Sequence, residues 1–320
     1  MIPFALATRR AVDGGHQALV HTGGAYHDLA AVLGTELPPF GVQGLLPDWD
    51  RWLDRITQAV DRDLPAPLDV DPHTLTAPVP EPRQVLCAAS NYAKHVADFT
   101  GRSDIDTFTG IDRTRMMPYL FAKGPDSPRG PYGELPYPSL TQRFDYEVEL
   151  GVVLREGGRR VPVAKSGQLI AGYLLFNDLT LRDLQQRTDW AFFKTDWYAG
   201  KAWDGSAPMG PLLVPARFVP DYRSLPLELR VNGEVRQACL AGDMVFSIEE
   251  QLSFASGIAT LRPGDVLATG TPDGVAMKTG KWLQVGDIIE ADGGILGTHR
   301  LEVTEPLRDG FALTPPDARP

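Results

Sequence analysis

Three acidic residues lie in or directly after short apolar segments of the chain. Glu147 and Glu149 alternate with apolar residues in the segment 144–154, and this period-two pattern predicts a β-strand. Carboxylates at positions i and i+2 project from the same side of a strand, about 7 Å apart. Asp178 follows the apolar run 171–176. The three together would form an all-oxygen site for a hard divalent cation, with Mg²⁺ or Mn²⁺ expected and Ca²⁺ as an alternative.

The strand pattern also suits an ordinary strand whose charged face lies in water. Apolar residues occupy one face of segment 144–154, and Asp145, Glu147 and Glu149 occupy the other. The strand alone therefore does not separate a metal site from a solvated face. Asp145 is expected either next to the cation without binding it or at the surface.

The elements around these acids are mostly β in pattern. Asn232-Gly233 predicts a tight hairpin, and Ser247 followed by Glu250 predicts a capped helix through about residue 259. Near the N-terminus the sequence predicts a hairpin around residues 22–24 and a helix ending near residue 63. The six prolines between residues 64 and 83 predict a connector. We expect an α+β, β-rich fold, with a small N-terminal α+β domain and its Pro-rich connector over residues 1–78 and a larger domain over residues 79–320.

Composition disfavours two classes of partner. The chain has 320 residues and a formal net charge of −10, which disfavours nucleic acids and acidic membranes because both require basic surfaces. Cys87 and Cys239 are isolated and lack the spacing of metal ligands. The first residues do not read as a secretory signal, and no apolar run is long enough to span a bilayer. We expect a cytoplasmic protein.

Five ordered segments resemble motifs of the fumarylacetoacetate hydrolase family. They span about two hundred residues, and each is moderately specific alone. The segment 144–154 resembles the strand of the Glu-x-Glu metal motif, and the other four are Asn91-Tyr92-Ala93-Lys94-His95, GYLLFNDLTLRDLQ at 172–185, Gly200-Lys201-Ala202-Trp203-Asp204 with Pro208-Met209-Gly210-Pro211, and ATGTPDGV at 268–275. The resemblance implies that the larger domain is a mixed β-roll or sandwich and that the protein is a homodimer.

The resemblance also implies roles for individual residues. Arg182 and Gln185 would recognise a substrate carboxylate and oxo group, and their i, i+3 spacing places them on one helix face. Lys201 is expected either to hold a substrate oxygen or to form a salt bridge with the acids. Lys123 is expected as a further pocket cation. Thr271 is expected to offer its hydroxyl or backbone N–H to the substrate, or to belong to a purely structural turn.

His95 is the candidate general base, oriented by Asp98, although a lone histidine is more often structural or exposed. In hydrolases of the family the residue three positions after this histidine is usually glutamate. Aspartate is one methylene shorter than glutamate, so its carboxylate reaches less far toward the imidazole that would activate water for hydrolysis.

The leading prediction is a metal-dependent hydrolase that cleaves a carbon–carbon bond in a β-diketo acid, such as an acylpyruvate or a fumarylacetoacetate-like acid. The metal and Lys201 would stabilise the enolate, and His95 would activate water. The alternative enzyme is a decarboxylase of oxaloacetate-type acids, a lyase or an isomerase with the same metal–enolate site. A third alternative is a non-catalytic protein that binds a small acid.

Overall fold

The N-terminal part of the chain folds into a four-stranded antiparallel sheet. The computed structural model describes residues 3–62, 64–93 and 116–307. The sheet has the order β3-β2-β1-β4 and contains β1 (Ala5–Arg10), β2 (His16–Thr22), β3 (Ala25–Asp28) and β4 (Leu75–Thr76). The predicted hairpin is confirmed, because Thr22 of β2 pairs with Ala25 of β3 across Gly23-Gly24. The predicted connector is more than a linker, since β4 lies within it and pairs with β1.

A six-stranded mixed sheet carries the acidic motif. Its order is β14-β11-β10-β17-β5-β6, and its strands are β5 (Val85–Ala89), β6 (Tyr119–Ala122), β10 (Val148–Leu154), β11 (Ile170–Asn177), β14 (Val214–Pro215) and β17 (Val266–Ala268). Strands β10 and β11 form the long antiparallel pair at its centre, with Val148 opposite Asn177. This register brings the start of β10 and the end of β11 together at the same end of the sheet.

A five-stranded sheet packs beside it, with the order β16-β15-β18-β19-β8. Its strands are β8 (Tyr132–Pro136), β15 (Pro226–Val231), β16 (Glu234–Leu240), β18 (Ile288–Asp292) and β19 (Thr298–Thr304). The predicted Asn232-Gly233 hairpin is confirmed, because both residues have the positive φ angles that a two-residue β-turn of this type requires. Two short two-stranded ladders complete the β-structure, β9 (Phe144–Asp145) with β12 (Thr180–Leu181) and β7 (Pro128–Arg129) with β13 (Ala207–Pro208).

Helices are few and short in the described residues. They are α1 (Leu29–Leu33), α2 (Trp49–Val60), α3 (Val163–Ser166), α4 (Arg182–Gln185), α5 (Trp197–Lys201), α6 (Ile248–Ile258) and α7 (Ala276–Thr279). The capping box predicted at Ser247 and Glu250 is present at the start of α6. Helix α2 ends at Val60, three residues before the expected position, and buries Trp49, Leu53 and Ile56. No helix in the described ranges is long and apolar enough to cross a membrane.

The architecture confirms the expected α+β, strand-rich fold. One difference from the sequence expectation affects the site. The predicted continuous strand 144–154 is divided into β9 and β10, with a break at Tyr146-Glu147. Both faces of this segment are buried, so the acidic face is not in water: Asp145 is 0% exposed, Glu147 6% and Glu149 1%.

Candidate active site

The strand break and the end of β11 bring three carboxylates together. At the break, the backbone N–H of Glu147 donates to the Asn177 side chain (3.0 Å), and the N–H of Asp178 donates to the Glu147 carbonyl (2.8 Å). Glu149 follows on β10. One oxygen from each of Glu147, Glu149 and Asp178 lies within 4.8 Å of the other two. The solvated-face alternative is therefore excluded for these residues, because all three are buried and face one another.

Two lysines neutralise this acidic cluster from within the protein. Lys201, on α5, donates from Nζ to Glu147 Oε2 (2.6 Å), Asp178 Oδ2 (2.6 Å) and the Asp178 carbonyl (3.3 Å). Lys123, immediately after β6, donates to Asp178 Oδ1 and to the Leu179 carbonyl (3.1 Å). An ammonium group has three N–H donors, so all three donors of Lys201 are used by these acceptors. In this geometry Lys201 forms the salt bridges that the sequence left as one of two alternatives.

Arg182 and Gln185 lie side by side on α4, as their spacing predicts. Arg182 Nη1 donates to Gln185 Oε1 (3.1 Å), Nε donates to Asp145 Oδ2 (2.7 Å), and Nη2 donates to Glu147 Oε1. Asp145 is thus fully buried and paired with Arg182, and it is neither exposed nor part of the three-carboxylate cluster. The approach of α5 to α4 depends on Gly200, because a Cβ there would lie 2.5 Å from the Gln185 Cβ.

Burial and neighbouring charges shift the pKa values of these groups in opposite directions. Burial raises the pKa of Glu149 well above its usual range, and the carboxylates of Asp178 and Glu147 raise it further. Burial lowers the pKa of Lys123, although Asp178 opposes that shift. Burial also acts to lower the pKa of Lys201, but Asp178 and Glu147 outweigh it and leave that pKa raised. Carboxylates that are buried this close together and remain ionised require compensating positive charge, which the lysines and Arg182 provide.

The turn after β17 completes one wall of the site. The backbone N–H of Gly270 donates to Glu149 Oε2 (2.7 Å). Thr271 Oγ1 donates to the Val148 carbonyl (2.9 Å) and accepts from Gln237 (2.9 Å), so its hydroxyl proton is already used within the protein. The Thr271 backbone N–H has no acceptor among the described residues. Of the two donors expected from Thr271, the backbone N–H is the one available to a ligand.

Two buried amides fix this turn, and sequence reasoning missed one of them. Gln237, on β16, accepts from the Val148 N–H (2.9 Å) and donates to Thr271 Oγ1 and the Pro272 carbonyl (3.1 Å). Asn91 donates to the Thr269 carbonyl (2.8 Å). Asn91 belongs to a segment that the resemblance singled out, whereas Gln237 lies in an alternating hairpin strand with no chemical signal. Only its distant partners reveal its role.

A cavity of about 240 Å³ is lined by Glu147, one of the three clustered carboxylates. Its lining includes the charged and polar residues Glu147, Arg182, Gln185, Lys201 and Thr271, and the remaining lining residues are Ala88, Ala89, Ser90, Phe121, Gln186, Thr195, Trp197 and Met277. Phe121 stacks on Trp197, with ring centroids 4.6 Å apart. Lys123, which bonds Asp178, is not among the residues that line this cavity. A larger cavity of about 940 Å³ between Arg129, Trp203 and Leu307 contains none of the clustered acids.

The candidate base and its partner, His95 and Asp98, lie outside the described residues. Their proposed roles in activating water therefore stay predictions. The described residues of the site supply the acidic cluster, its compensating cations and the neutral hydrogen-bonding groups.

The donor set fits a hard divalent cation. The three clustered residues offer carboxylate oxygens within 4.8 Å of one another, which is the ligand type that Mg²⁺, Mn²⁺ and Ca²⁺ prefer. A carboxylate has about four lone-pair positions, so the contacts with lysine and arginine leave each group with acceptor capacity. Glu147, Glu149 and Asp178 are therefore the residues that would hold the ion.

Comparisons with known proteins identify the family and fold of the chain. Residues 84–304 match the family model described as fumarylacetoacetate (FAA) hydrolase, C-terminal. The oxaloacetate tautomerase YisK from Bacillus subtilis (strain 168) is 35% identical over 229 residues, covering 70% of this chain and 71% of that protein. Among solved structures, a putative HpcE protein from Mycobacterium smegmatis has a TM-score of 0.77 at 28% identity, covering 94% of this chain and 99% of that one.

A second solved structure bears on the metal. Fumarylpyruvate hydrolase from Pseudomonas aeruginosa, in complex with Mn²⁺ and pyruvate, has a TM-score of 0.58 at 33% identity, covering 70% of this chain and 90% of that one. The relatives are thus enzymes of more than one reaction type, a tautomerase and a hydrolase, and their names refer to small keto acids. The match of the family model to more than half of the chain shows that this protein belongs to the fumarylacetoacetate hydrolase family.

Proposed function

We propose that the protein is a divalent-metal-dependent enzyme that interconverts the keto and enol forms of a short 2-keto acid of the oxaloacetate class. The observation that carries the proposal is the cavity that brings Glu147, Arg182 and Gln185 together. The tautomerase relative at 35% identity supports the reaction type. The reaction moves one proton between a carbon and an oxygen of the same molecule, so it requires no second reactant.

The side chains around the cavity divide the work of binding. Arg182 uses three of its five N–H donors within the protein, which leaves two for a substrate carboxylate. Gln185 accepts from Arg182 through its oxygen, so its NH₂ group remains a donor for a substrate oxygen. The Thr271 backbone N–H, in the same cavity lining, provides a further donor. A bound divalent cation would supply Lewis-acid stabilisation of enolate charge on adjacent keto and carboxylate oxygens.

The experiment that tests the proposal follows enol-oxaloacetate by ultraviolet absorbance and identifies the products by NMR. EDTA treatment should abolish the conversion, and Mg²⁺ or Mn²⁺ should restore it, because the acidic cluster lacks the His and Cys ligands typical of zinc sites. Formation of keto-oxaloacetate alone supports a tautomerase. Pyruvate and CO₂ as products would support the decarboxylase alternative instead. Full activity in verified metal-free protein would contradict the metal dependence, and saturable binding without turnover would indicate a binding protein.

Hydrolysis of an acylpyruvate is the second candidate, favoured by the 33% identical fumarylpyruvate hydrolase. It requires water activation, for which His95 and Asp98 are the proposed pair. With acetylpyruvate as substrate, His95→Ala should lower turnover by about 10²–10⁴ without changing metal affinity. Asp98→Glu should retain or raise hydrolysis. A wild type inert toward acetylpyruvate would eliminate this candidate.

A further inference from the structure

Asp145 is a buried carboxylate that makes no contact with the cavity, yet its acceptor positions are well used. Oδ1 accepts from the backbone N–H of Tyr146 (2.9 Å) and of Ala276 (2.7 Å). Oδ2 accepts from the Met277 N–H (3.1 Å) and from Arg182 Nε (2.7 Å). One side chain therefore connects β9, the start of α7 and the guanidinium on α4.

The guanidinium extends this connection to the acidic cluster. Arg182 bonds Asp145 with Nε and Glu147 with Nη2, so one rigid planar group spans both carboxylates. We propose that Asp145 is a positioning residue for the candidate metal ligand Glu147 and acts through Arg182. Asp145 fixes the plane of the guanidinium and balances part of its positive charge. Arg182 can then orient the Glu147 carboxylate while competing less strongly with a cation for its oxygens.

The need for a carboxylate at position 145 follows from the number of acceptors. An asparagine has one acceptor oxygen, so it could serve either the Tyr146 and Ala276 pair or the Met277 and Arg182 pair. In either orientation its NH₂ group would face N–H donors. Of the four contacts of Asp145 only the one with Arg182 is charge-assisted, so either orientation of asparagine weakens the hold on the guanidinium: the bond is lost in one and loses its charge in the other.

The test measures metal binding directly. It rests on the cation site of the proposed function but not on the reaction, so inactivity toward oxaloacetate would leave it intact. In isothermal titration calorimetry on metal-free protein, Asp145→Asn should bind Mn²⁺ about tenfold more weakly, the usual effect of losing a group that orients a ligand. In an Arg182→Gln background the same substitution should have no further effect, because the connecting group is already absent.

The matched control is Asp265→Asn. Asp265 is also buried, and it accepts from the Arg262 N–H (2.8 Å) and from Gln84 (2.8 Å), apart from the acidic cluster. This variant should bind Mn²⁺ as the wild type does. Unchanged Mn²⁺ affinity in Asp145→Asn, or an equal loss in the Arg182→Gln background, would overturn the proposal.

If Asp145→Asn does not fold, Arg182→Lys provides the second measurement. Lysine keeps the charge but lacks the planar fork that spans Asp145 and Glu147, so Mn²⁺ affinity should again fall about tenfold. Wild-type affinity in this variant would show that the bridge does not orient Glu147, and the proposal would fail.

Discussion

At the scale of single residues, Glu149 shows how burial affects the ionisation of a candidate metal ligand. It lies against two other carboxylates, and one of its oxygens accepts the Gly270 N–H. Burial raises its pKa, so the metal-free protein holds a carboxyl group in an environment that disfavours ionisation. In the metal-free protein, a neutral side chain of the same shape would be favoured at this position over the ionised carboxylate.

Glu149→Gln should therefore separate binding from folding. Glutamine retains an acceptor for the Gly270 N–H but removes one of three clustered negative charges. We expect Mn²⁺ binding to be lost in calorimetry, while the thermal midpoint of the metal-free variant at pH 8 equals or exceeds that of the wild type. Retained Mn²⁺ affinity would remove Glu149 from the ligand set.

The sequence predicted those site residues that can be recognised by their type and spacing. The alternation of Glu147 and Glu149 and the position of Asp178 predicted the cluster, and the i, i+3 spacing predicted the contact between Arg182 and Gln185. It did not assign Asp145 to Arg182 or find Gln237. The contacts of those two residues depend on partners 37 and 89 positions away along the chain, and a local pattern contains no information about them.

At the scale of elements, the turn after β17 depends on close backbone approach. Gly270 has a φ of +100°, and a Cβ there would lie 2.7 Å from the Asn91 Cβ. Gly286, in the turn before β18, has a similar φ of +93° but open space around its Cβ position. The two glycines therefore differ in crowding and share the same backbone requirement.

Alanine substitutions at these glycines should have unequal effects. Gly286→Ala should cost about 1–2 kcal/mol of the free energy of unfolding, from the left-handed backbone alone. Gly270→Ala should cost more, because the added methyl group must displace Asn91, and it should weaken Mn²⁺ binding by shifting the N–H that Glu149 accepts. Urea denaturation and calorimetry measure both effects. Equal stability losses would contradict the crowding argument.

The strand break at Tyr146-Glu147 illustrates why the positions of elements were only partly predictable. Period-two alternation runs through the break, so sequence indicated one strand. The structure interrupts it because the Glu147 N–H bonds the Asn177 side chain and its carbonyl accepts from Asp178. These contacts with distant residues replace the regular hydrogen bonds of a continuous strand. Local sequence propensity contains no information about such contacts.

At the scale of the whole molecule, the two predicted domains share one of their cores. Leu6 of the N-terminal sheet, Phe4 just before that sheet and Leu53 of α2 belong to one buried cluster. The same cluster contains Val153 and Leu174 of the six-stranded sheet. The Leu6 backbone also bonds Leu213 in both directions, at 3.0 and 2.7 Å. The domain boundary at residue 78 stays a prediction. The apolar side chains on its two sides pack in one continuous core.

A fragment of residues 79–320 should consequently be unstable. Removing residues 1–78 would expose the apolar surface formed by Val153, Leu174 and Leu213, and each such side chain contributes about 1.5–3 kcal/mol when buried. We expect an aggregated or partly folded product by near-ultraviolet circular dichroism. A soluble fragment with the native spectrum would show that the larger domain folds independently.

Acid stability should depend on His299, which donates from Nε2 to the Gly210 carbonyl (2.9 Å). Burial lowers the pKa of His299 to about 4 from an ordinary 6.5, although the Gly210 and Leu175 carbonyls oppose the shift. The unfolded chain therefore binds a proton between these pH values that the folded chain does not. Stability from this group is complete above pH 6.5 and falls, by about 3 kcal/mol in total, as the pH drops to 4.

Comparing the wild type with His299→Gln isolates that contribution, since the carboxylates titrate in both proteins. The difference in unfolding free energy between them should shrink as the pH falls from 6.5 to 4. A pH-independent difference would contradict the buried neutral imidazole.

Association is the remaining expectation at this scale. The family resemblance predicts a homodimer, and sedimentation velocity at micromolar concentration checks it directly. A monomer under those conditions would count against it. The cytoplasmic location likewise stays a prediction.

The salt bridges around the acidic cluster have a consequence for how a cation and a keto acid affect each other's binding. Asp145, Glu147, Glu149 and Asp178 face Lys123, Lys201 and Arg182, so with all groups ionised the formal charge of the set is minus one. A divalent ion reverses that sign and converts a site that repels anions into one that attracts them. Cation and keto acid should then bind with positive cooperativity, and by thermodynamic linkage each must tighten the other by the same factor. Keto-acid concentration would in this way regulate how firmly the protein retains its metal.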